Sequence, residues 1–246
     1  MIKALFCQHH SQPIFIYGWL LISSLFQLLM NKTNGIVFSD RLHAGEQLGR
    51  HLASRYSGMN PLVIGVPKGG VEVAAQTARH LDCEMGMIIA KKLPLPGQTT
   101  IAFGAVAEDL SVYVSKKHVQ KLDPELVIKA IDEQTDEVNR RLELYRGDSP
   151  MPQMSGRNVI VVDEGISTGS TMVSVLELCR RQGAATVVIA TPVCCKYYDP
   201  KLDLADSLEV LVQPDWFHSM SQSYAIFKTV TDQHVLSILG KYAYNR

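Results

Sequence analysis

The sequence predicts an α/β fold, a parallel sheet with helices on both faces. Three observations predict it. Short apolar runs of strand length alternate with segments of helical periodicity. Some runs are continuously apolar, NVIVVD at 158–163 above all, as expected of strands covered on both sides. Glycine- and proline-rich turn signals follow the runs directly, as in PKGG at 67–70.

The elements follow in order. Asp40 caps a helix running to about Ser57, with Ala44, Leu48, Leu52 and Tyr56 at helical spacing. PLVIGV, 61–66, is a strand that ends in the PKGG turn. The next helix carries Val71, Val73, Ala74, Ala75 and Ala78. MGMIIA, 85–90, is a second strand, closed by Lys91, Lys92, Leu93 and Pro94. Pro94, Pro96 and Gly97 forbid regular structure and predict a loop. FGAVA and LSVYV, 103–107 and 110–114, read as a hairpin through Glu108 and Asp109. A long helix spans about Pro124–Tyr145. Its apolar stripe is Val127, Ile131, Val138, Leu142 and Tyr145, with Asp136/Arg140 and Glu137/Arg141 as outward i,i+4 pairs. After a loop at 147–156 come a strand at 158–163 and a helix at about 170–182. Strands at 185–193 and 208–213 and a last helix at about 232–241 complete the pattern.

Composition narrows the function. Among 246 residues, 46% are hydrophobic and 20% charged, which excludes wholesale disorder and low-complexity architectures. Twenty-four Lys+Arg balance 24 Asp+Glu, against the broad positive charge of a nucleic-acid binder. Cys7, Cys83, Cys179, Cys194 and Cys195 form no Cys-x-x-Cys pair. They argue for thiols in a reducing, cytoplasmic setting rather than a disulfide or zinc framework.

Residues 1–35 stand apart from a domain at 36–246. No Lys, Arg, Asp or Glu occurs between Lys3 and Lys32, and IFIYGWLLISSLFQLLM fills 14–30. This stretch is short for a membrane span and is followed by no small-x-small cleavage site. Membrane association and a signal peptide are two readings. The favoured one is a dispensable extension ahead of a start at Met30.

The strongest motif is VIVVDEGISTGSTM, 159–172. A strand delivers Asp163 and Glu164 to its carboxyl end. Gly165, Ile166, Ser167, Thr168, Gly169, Ser170 and Thr171 then make a small, hydroxyl-rich turn into a helix. Such a turn cradles a phosphate with N–H groups and hydroxyls. The acids can accept hydrogen bonds from sugar hydroxyls or attract hydrated Mg²⁺. The order suits a ligand with a ribose diol and a 5-phosphate. It is neither a P-loop nor a dinucleotide fingerprint.

This segment resembles the 5-phosphoribosyl 1-diphosphate (PRPP) binding motif of type I phosphoribosyltransferases. GVPKGGVEVA, 65–74, is similar to their diphosphate loop, with Pro67, Lys68, Gly69 and Gly70 at its turn. KKLPLPGQTTIAFGA, 91–105, looks like the start of their mobile loop, and the resemblance places Lys91 or Lys92 against the leaving diphosphate. The tail at 213–235 matches an uncharacterised branch sometimes joined to hydrolase domains, although no Gly-x-Ser-x-Gly elbow is present here. The likeness covers about 36–240.

The resemblance implies a parallel-sheet, Rossmann-like core with a mobile loop or hairpin and a small C-terminal hood. It implies transfer of 5-phosphoribosyl from PRPP to a base-like acceptor, with diphosphate released. Asp163, Glu164, Lys91 and Lys92 are then the catalytic group, and 165–171 bind the 5-phosphate. Trp216 and Phe217 are candidates to stack on the acceptor or to pack the hood. Mg²⁺ would be held mainly by PRPP, with Asp163 and Glu164 acting through water and no direct protein ligand. The partners implied are PRPP, a small acceptor and a second copy in a homodimer.

Two departures stand out. The acids are Asp-Glu rather than Asp-Asp or Glu-Asp. Ser167 stands where purine-salvage members carry an aspartate, and serine is a poor base at neutral pH. A PRPP-binding regulator without transfer activity is therefore the alternative, and a hydrolase a more distant one.

Overall fold

The computed structural model describes residues 37–95, 98–120 and 122–243. The extension at 1–35, with its apolar segment at 14–30, lies outside them. No helix among the described residues is long and apolar enough to cross a membrane.

Five parallel strands form the main sheet: β1 (Leu62–Gly65), β2 (Glu84–Met87), β6 (Asn158–Val162), β7 (Thr186–Val193) and β8 (Ser207–Val212). Their spatial order is β2-β1-β6-β7-β8. A second, antiparallel sheet contains β3 (Ala90–Leu95), β4 (Gln98–Ala107) and β5 (Val112–Val114). The helices are α1 (Arg41–Tyr56), α2 (Gly69–Leu81), α3 (Lys116–Val119), α4 (Pro124–Tyr145), α5 (Ser170–Arg181) and α6 (Asp232–Ala243).

The continuous apolar strands are explained by two cores. Val63, Ile160, Val162, Val188 and Ala190 point to one face, against Leu48 and Leu52 of α1 and Val73, Ala74 and Ala78 of α2. Leu62, Ile64, Val159, Val161, Val187 and Ile189 point to the other, against Met172, Val173, Val175, Leu176 and Cys179 of α5. Alternate residues of β1, β6 and β7 thus enter opposite cores, so Leu62–Gly65 and Val159–Val162 carry no polar side chain. The predicted α1 stripe is buried in full, and Asp40 accepts from the His43 N–H as its cap.

Three expectations need correction. The first concerns the stretch read as a loop from Lys91. It is strand β3, paired as Lys92↔Ala105, Leu93↔Gly104, Pro94↔Ala102 and Leu95↔Gln98. Register shifts on either side of Pro94 absorb its missing donor, which is how a sheet tolerates proline. Pro96 and Gly97 lie outside the described residues. The second concerns the predicted strand at 85–90, which is divided. The parallel pairing ends at Met87, and Ala90 already belongs to the antiparallel sheet. The buried Glu108 carboxylate holds the crossing by accepting from the Ile89 N–H (2.7 Å) and from Arg146 (2.8 Å). The third concerns α4, which buries only Val138, Arg141 and Tyr145. Val127, Ile131 and Leu142 are half-buried against the same core. Arg140 pairs with Glu137 instead of Asp136, and Arg141 is buried rather than outward.

The C-terminal segment folds back as a hood. The N–H groups of Val37 and Phe38 both donate to the Ser223 carbonyl, and Ala225 and Ile226 donate to Phe38 and Ser39. Phe38, Tyr224 and Val193 form its small core, with Phe217 and Phe227 packed alongside.

Candidate functional site

β1 and β6 are neighbours, but the chain leaves β1 toward β2 on one side and returns as β6 on the other. The crevice beyond the carboxyl ends of such strands is where open α/β sheets bind ligands. Both candidate motifs emerge there, and the Val66 N–H donates to the Val162 carbonyl at 3.0 Å.

The turn after β6 is tightly held. The Ile166 N–H donates to Val193 (2.8 Å), and the Cys195 N–H donates to Ile166 (2.8 Å). Ile166 is buried, so it anchors the turn and has no backbone donor left for a phosphate. Gly169 precedes α5 with φ +83, a conformation that favours glycine. From there the first turn of α5 presents N–H groups that have no partner within the helix. Together with Asp163, Glu164, Lys92, Ala102 and Met220, residues 165–172 line a cavity of about 180 Å³. A larger hollow of about 960 Å³ lies among α2, β2 and α6 and contains none of these motif residues. The chemistry of the lining, not its volume, marks the smaller cavity as the candidate site.

The turn after β1 closes directly on the acids. A cis peptide joins Pro67 to Lys68. A Cβ on Gly69 would lie 1.6 Å from Glu164 Oε2, and one on Gly70 would lie 2.8 Å from Asp163 Oδ1. The two glycines are therefore required by close approach.

Asp163 Oδ1 accepts from the Glu164 N–H (2.8 Å), and Thr191 Oγ1 donates to the Asp163 carbonyl (3.2 Å). Burial, and then the charge of Glu164, push the Asp163 carboxyl well above its usual range. Burial also raises Glu164, although Arg41 pulls it back. The Arg41 Nε donates to Glu164 Oε2, while Tyr224 Oη donates to the Glu164 carbonyl at 2.6 Å.

The lysines divide by the alternation of β3. Lys91 lies 3.9 Å from Glu137 of α4, and Lys92 lines the cavity. Burial lowers both, Lys91 further through Arg141. Lys68 pairs with Asp232 of α6 at 3.0 Å. Trp216 is 80% exposed, and Phe217 packs into the hood core. Neither lines the cavity, whose apolar contribution from the hood is Met220.

A family model, "Phosphoribosyl transferase domain", matches residues 39–223. The chain belongs to this family. The phosphoribosyl transferase domain here is similar to a Mycobacterium tuberculosis protein named "Putative phosphoribosyl transferase Rv0571c". They are 33% identical over 209 residues, which is 83% of this chain and 47% of that one. The chain thus spans about half the length of the curated relatives it matches first. TT1426 from Thermus thermophilus superimposes with a TM-score of 0.70 at 32% identity, covering 84% of this chain and 99% of that one. A hypoxanthine-guanine phosphoribosyltransferase of Streptococcus thermophilus is 25% identical over 160 residues, 63% of this chain and 66% of that one.

Sequence reasoning missed Arg41, Met220 and Tyr224. For Arg41 a signal existed. A cation in the first helical turn opposes the helix dipole, and the one acid at that end of α1, the N-cap Asp40, is engaged by the His43 N–H. Such a placement calls for a partner from elsewhere in the fold.

Proposed function

We propose that the chain, through residues 36–246, transfers 5-phosphoribosyl from PRPP to a base-like acceptor and releases diphosphate. The observation that carries this reading is the meeting of two turns at one crevice. The acids and hydroxyl-rich turn after β6 abut the Pro67–Gly70 turn after β1, with no room for a side chain between them.

In this reading the turn at 165–171 and the start of α5 grip the 5-phosphate. That remote contact orients the sugar for reaction. The Asp163 carboxylate holds the diol and faces the positive charge that develops at the anomeric carbon as diphosphate departs. Lys92 reaches the leaving group from β3. Lys68 and Lys91 join it by exchanging Asp232 and Glu137 for diphosphate oxygens. The hairpin of β3 and β4 covers the reacting centre and excludes water.

Among the described residues no cluster of three His, Cys, Asp or Glu is placed to hold a metal. Two adjacent carboxylates, one of them tied to arginine, fit an ion carried mainly by the ligand's own oxygens. Asp163 and Glu164, both through water, would hold Mg²⁺, which when bound would neutralise charge on the diphosphate. Dimerisation and a cytoplasmic setting belong to the same reading by analogy.

A second reading, a PRPP-binding regulator, is favoured by Ser167. No carboxylate stands there to take a proton from an acceptor.

Calorimetric titration with PRPP, with and without Mg²⁺, tests both readings, with Asp163→Asn as the companion variant. Saturable, Mg²⁺-dependent binding that the variant loses is expected. Absence of binding by the folded wild-type chain sinks the transferase reading. Binding with no diphosphate release across a panel of bases favours the regulator.

A further inference from the structure

We propose that Arg41 is a positioning residue for this site: it holds the Glu164 carboxylate under the diphosphate turn and ties it to the hood. The PRPP part of its test rests on the transferase reading above; the tie itself does not.

Arg41 is 7% exposed and joins four parts of the fold. Its Nε donates to Glu164, and its Nη1 donates to the Lys228 carbonyl of the hood at 2.8 Å. The same nitrogen lies 3.7 Å from Glu72, in the first turn of α2 behind the diphosphate turn. The guanidinium stacks 3.9 Å from the centre of the Phe227 ring. A planar, delocalised cation with several fixed donors can make these contacts at once; an ammonium cannot.

The arrangement leaves Glu164 little choice of position. Gly69 presses on its carboxylate, Arg41 binds one oxygen, and Tyr224 of the hood holds its carbonyl. Glu164 is thereby drawn against the turn after β1 with its charge offset, and Asp163 is the acid left for the sugar. The resemblance gives both acids to the diol; here both line the cavity, and only Glu164 is hydrogen-bonded to an arginine. It also gives the hood a route to the acids, because Phe227 and Lys228 touch the guanidinium that touches Glu164.

The test uses the full chain as wild type, Arg41→Met, Arg41→Lys, the double variant Arg41→Met with Glu164→Gln, and Arg146→Met. Arg146 belongs to a buried pair with Glu108, has no hydrogen bond or ion pair to residues 163–171, and controls for loss of a buried cation. PRPP affinity in Mg²⁺ is read by calorimetry. Hydrogen exchange is read at 163–171 and 224–231.

Arg41→Met should weaken PRPP at least tenfold and speed exchange in both segments, because it strands a half-buried carboxylate. Adding Glu164→Gln should recover part of the lost affinity, because no charge is then stranded, and Arg41→Lys should fall between. Arg146→Met should lower the melting temperature but keep PRPP affinity within threefold. The proposal is overturned if Arg41→Met binds PRPP within threefold of wild type. It is equally overturned if the double variant binds no better than the single, or if exchange is unchanged in either segment. Should Arg41→Met fail to fold, Arg41→Lys and Glu164→Gln alone must each speed exchange at 224–231, and unchanged rates overturn the tie. If wild type binds no PRPP, the transferase reading fails while the exchange data still decide the role of Arg41.

Discussion

Replacing Gly69 by alanine tests the meeting of the two turns most directly. The added Cβ would lie 1.6 Å from Glu164 Oε2, 2.3 Å from its Cδ and 2.7 Å from Arg41 Nε. None of these can remain. If the turn after β1 shifts to relieve the overlap, the cost is that of overpacking, about 1–3 kcal/mol. If Glu164 is forced off Arg41, a buried charge is stranded and the cost approaches about 3–5 kcal/mol. Either response distorts the crevice, so PRPP affinity should fall by roughly tenfold or more, at about 1.4 kcal/mol per decade. Urea unfolding gives the first quantity and calorimetry the second. Gly240→Ala is the matched comparison. It lies in α6 with nothing within 4 Å of its Cβ, so alanine should stabilise by about 0.5–1 kcal/mol. Should Gly69→Ala unfold within about 0.5 kcal/mol of wild type and bind PRPP equally well, the packed contact between the two turns is wrong.

Other outcomes follow from the same geometry. Leu202 is fully buried, and its Cδ1 lies 2.8 Å from where a Cβ on Gly169 would be. Leu202→Ala should cost about 2–5 kcal/mol in denaturant unfolding and loosen the turn after β6 that it supports. Glu137 is held down to about 2, first by its hydrogen bond from Arg140. Its folded value lies below its unfolded one, so its stabilisation is full above the ordinary carboxylate range and is lost as pH falls toward 2. Glu137→Gln should accordingly flatten the acid limb of a melting-temperature profile; an unchanged limb counts against the pair. Burial pushes the Cys179 and Cys194 thiols up to about 12. Mass spectrometry after brief iodoacetamide treatment near pH 8 should find both unmodified in the native chain and modified in denaturant.

Much of the fold is legible in the sequence because both faces of the sheet are covered. A run with no polar position, such as 159–162, can hardly be read otherwise. The acids and their turn are legible because they sit in consecutive positions. What escapes is carried by long-range contacts. Pro94 argues locally for a loop, yet a register shift in its partner strand accommodates it. Lys91 and Lys92 are interchangeable until the pleat of β3 sends one toward Glu137 and the other to the cavity. Phe217 reads as a candidate acceptor platform, but whether an aromatic residue packs or waits for a ligand depends on the neighbours that reach it. Here those neighbours include Phe38 and Tyr224, from opposite ends of the described chain.

That last contact bears on the order in which the molecule is assembled. The hood consists of a few residues before α1 married to a segment beyond β8, so no nascent chain can complete it until nearly the whole domain has been made. The strands β1, β6 and β7 that frame the crevice, by contrast, pair with one another without anything past β7. Contacts this distant in sequence are entropically expensive and form late. We therefore expect two stages in refolding, the sheet core first and its cover afterwards. Pulse-labelled exchange should show the amides of β6 protected before those of Phe38, Ala225 and Ile226. Simultaneous protection would mean that the cover helps build the core it closes.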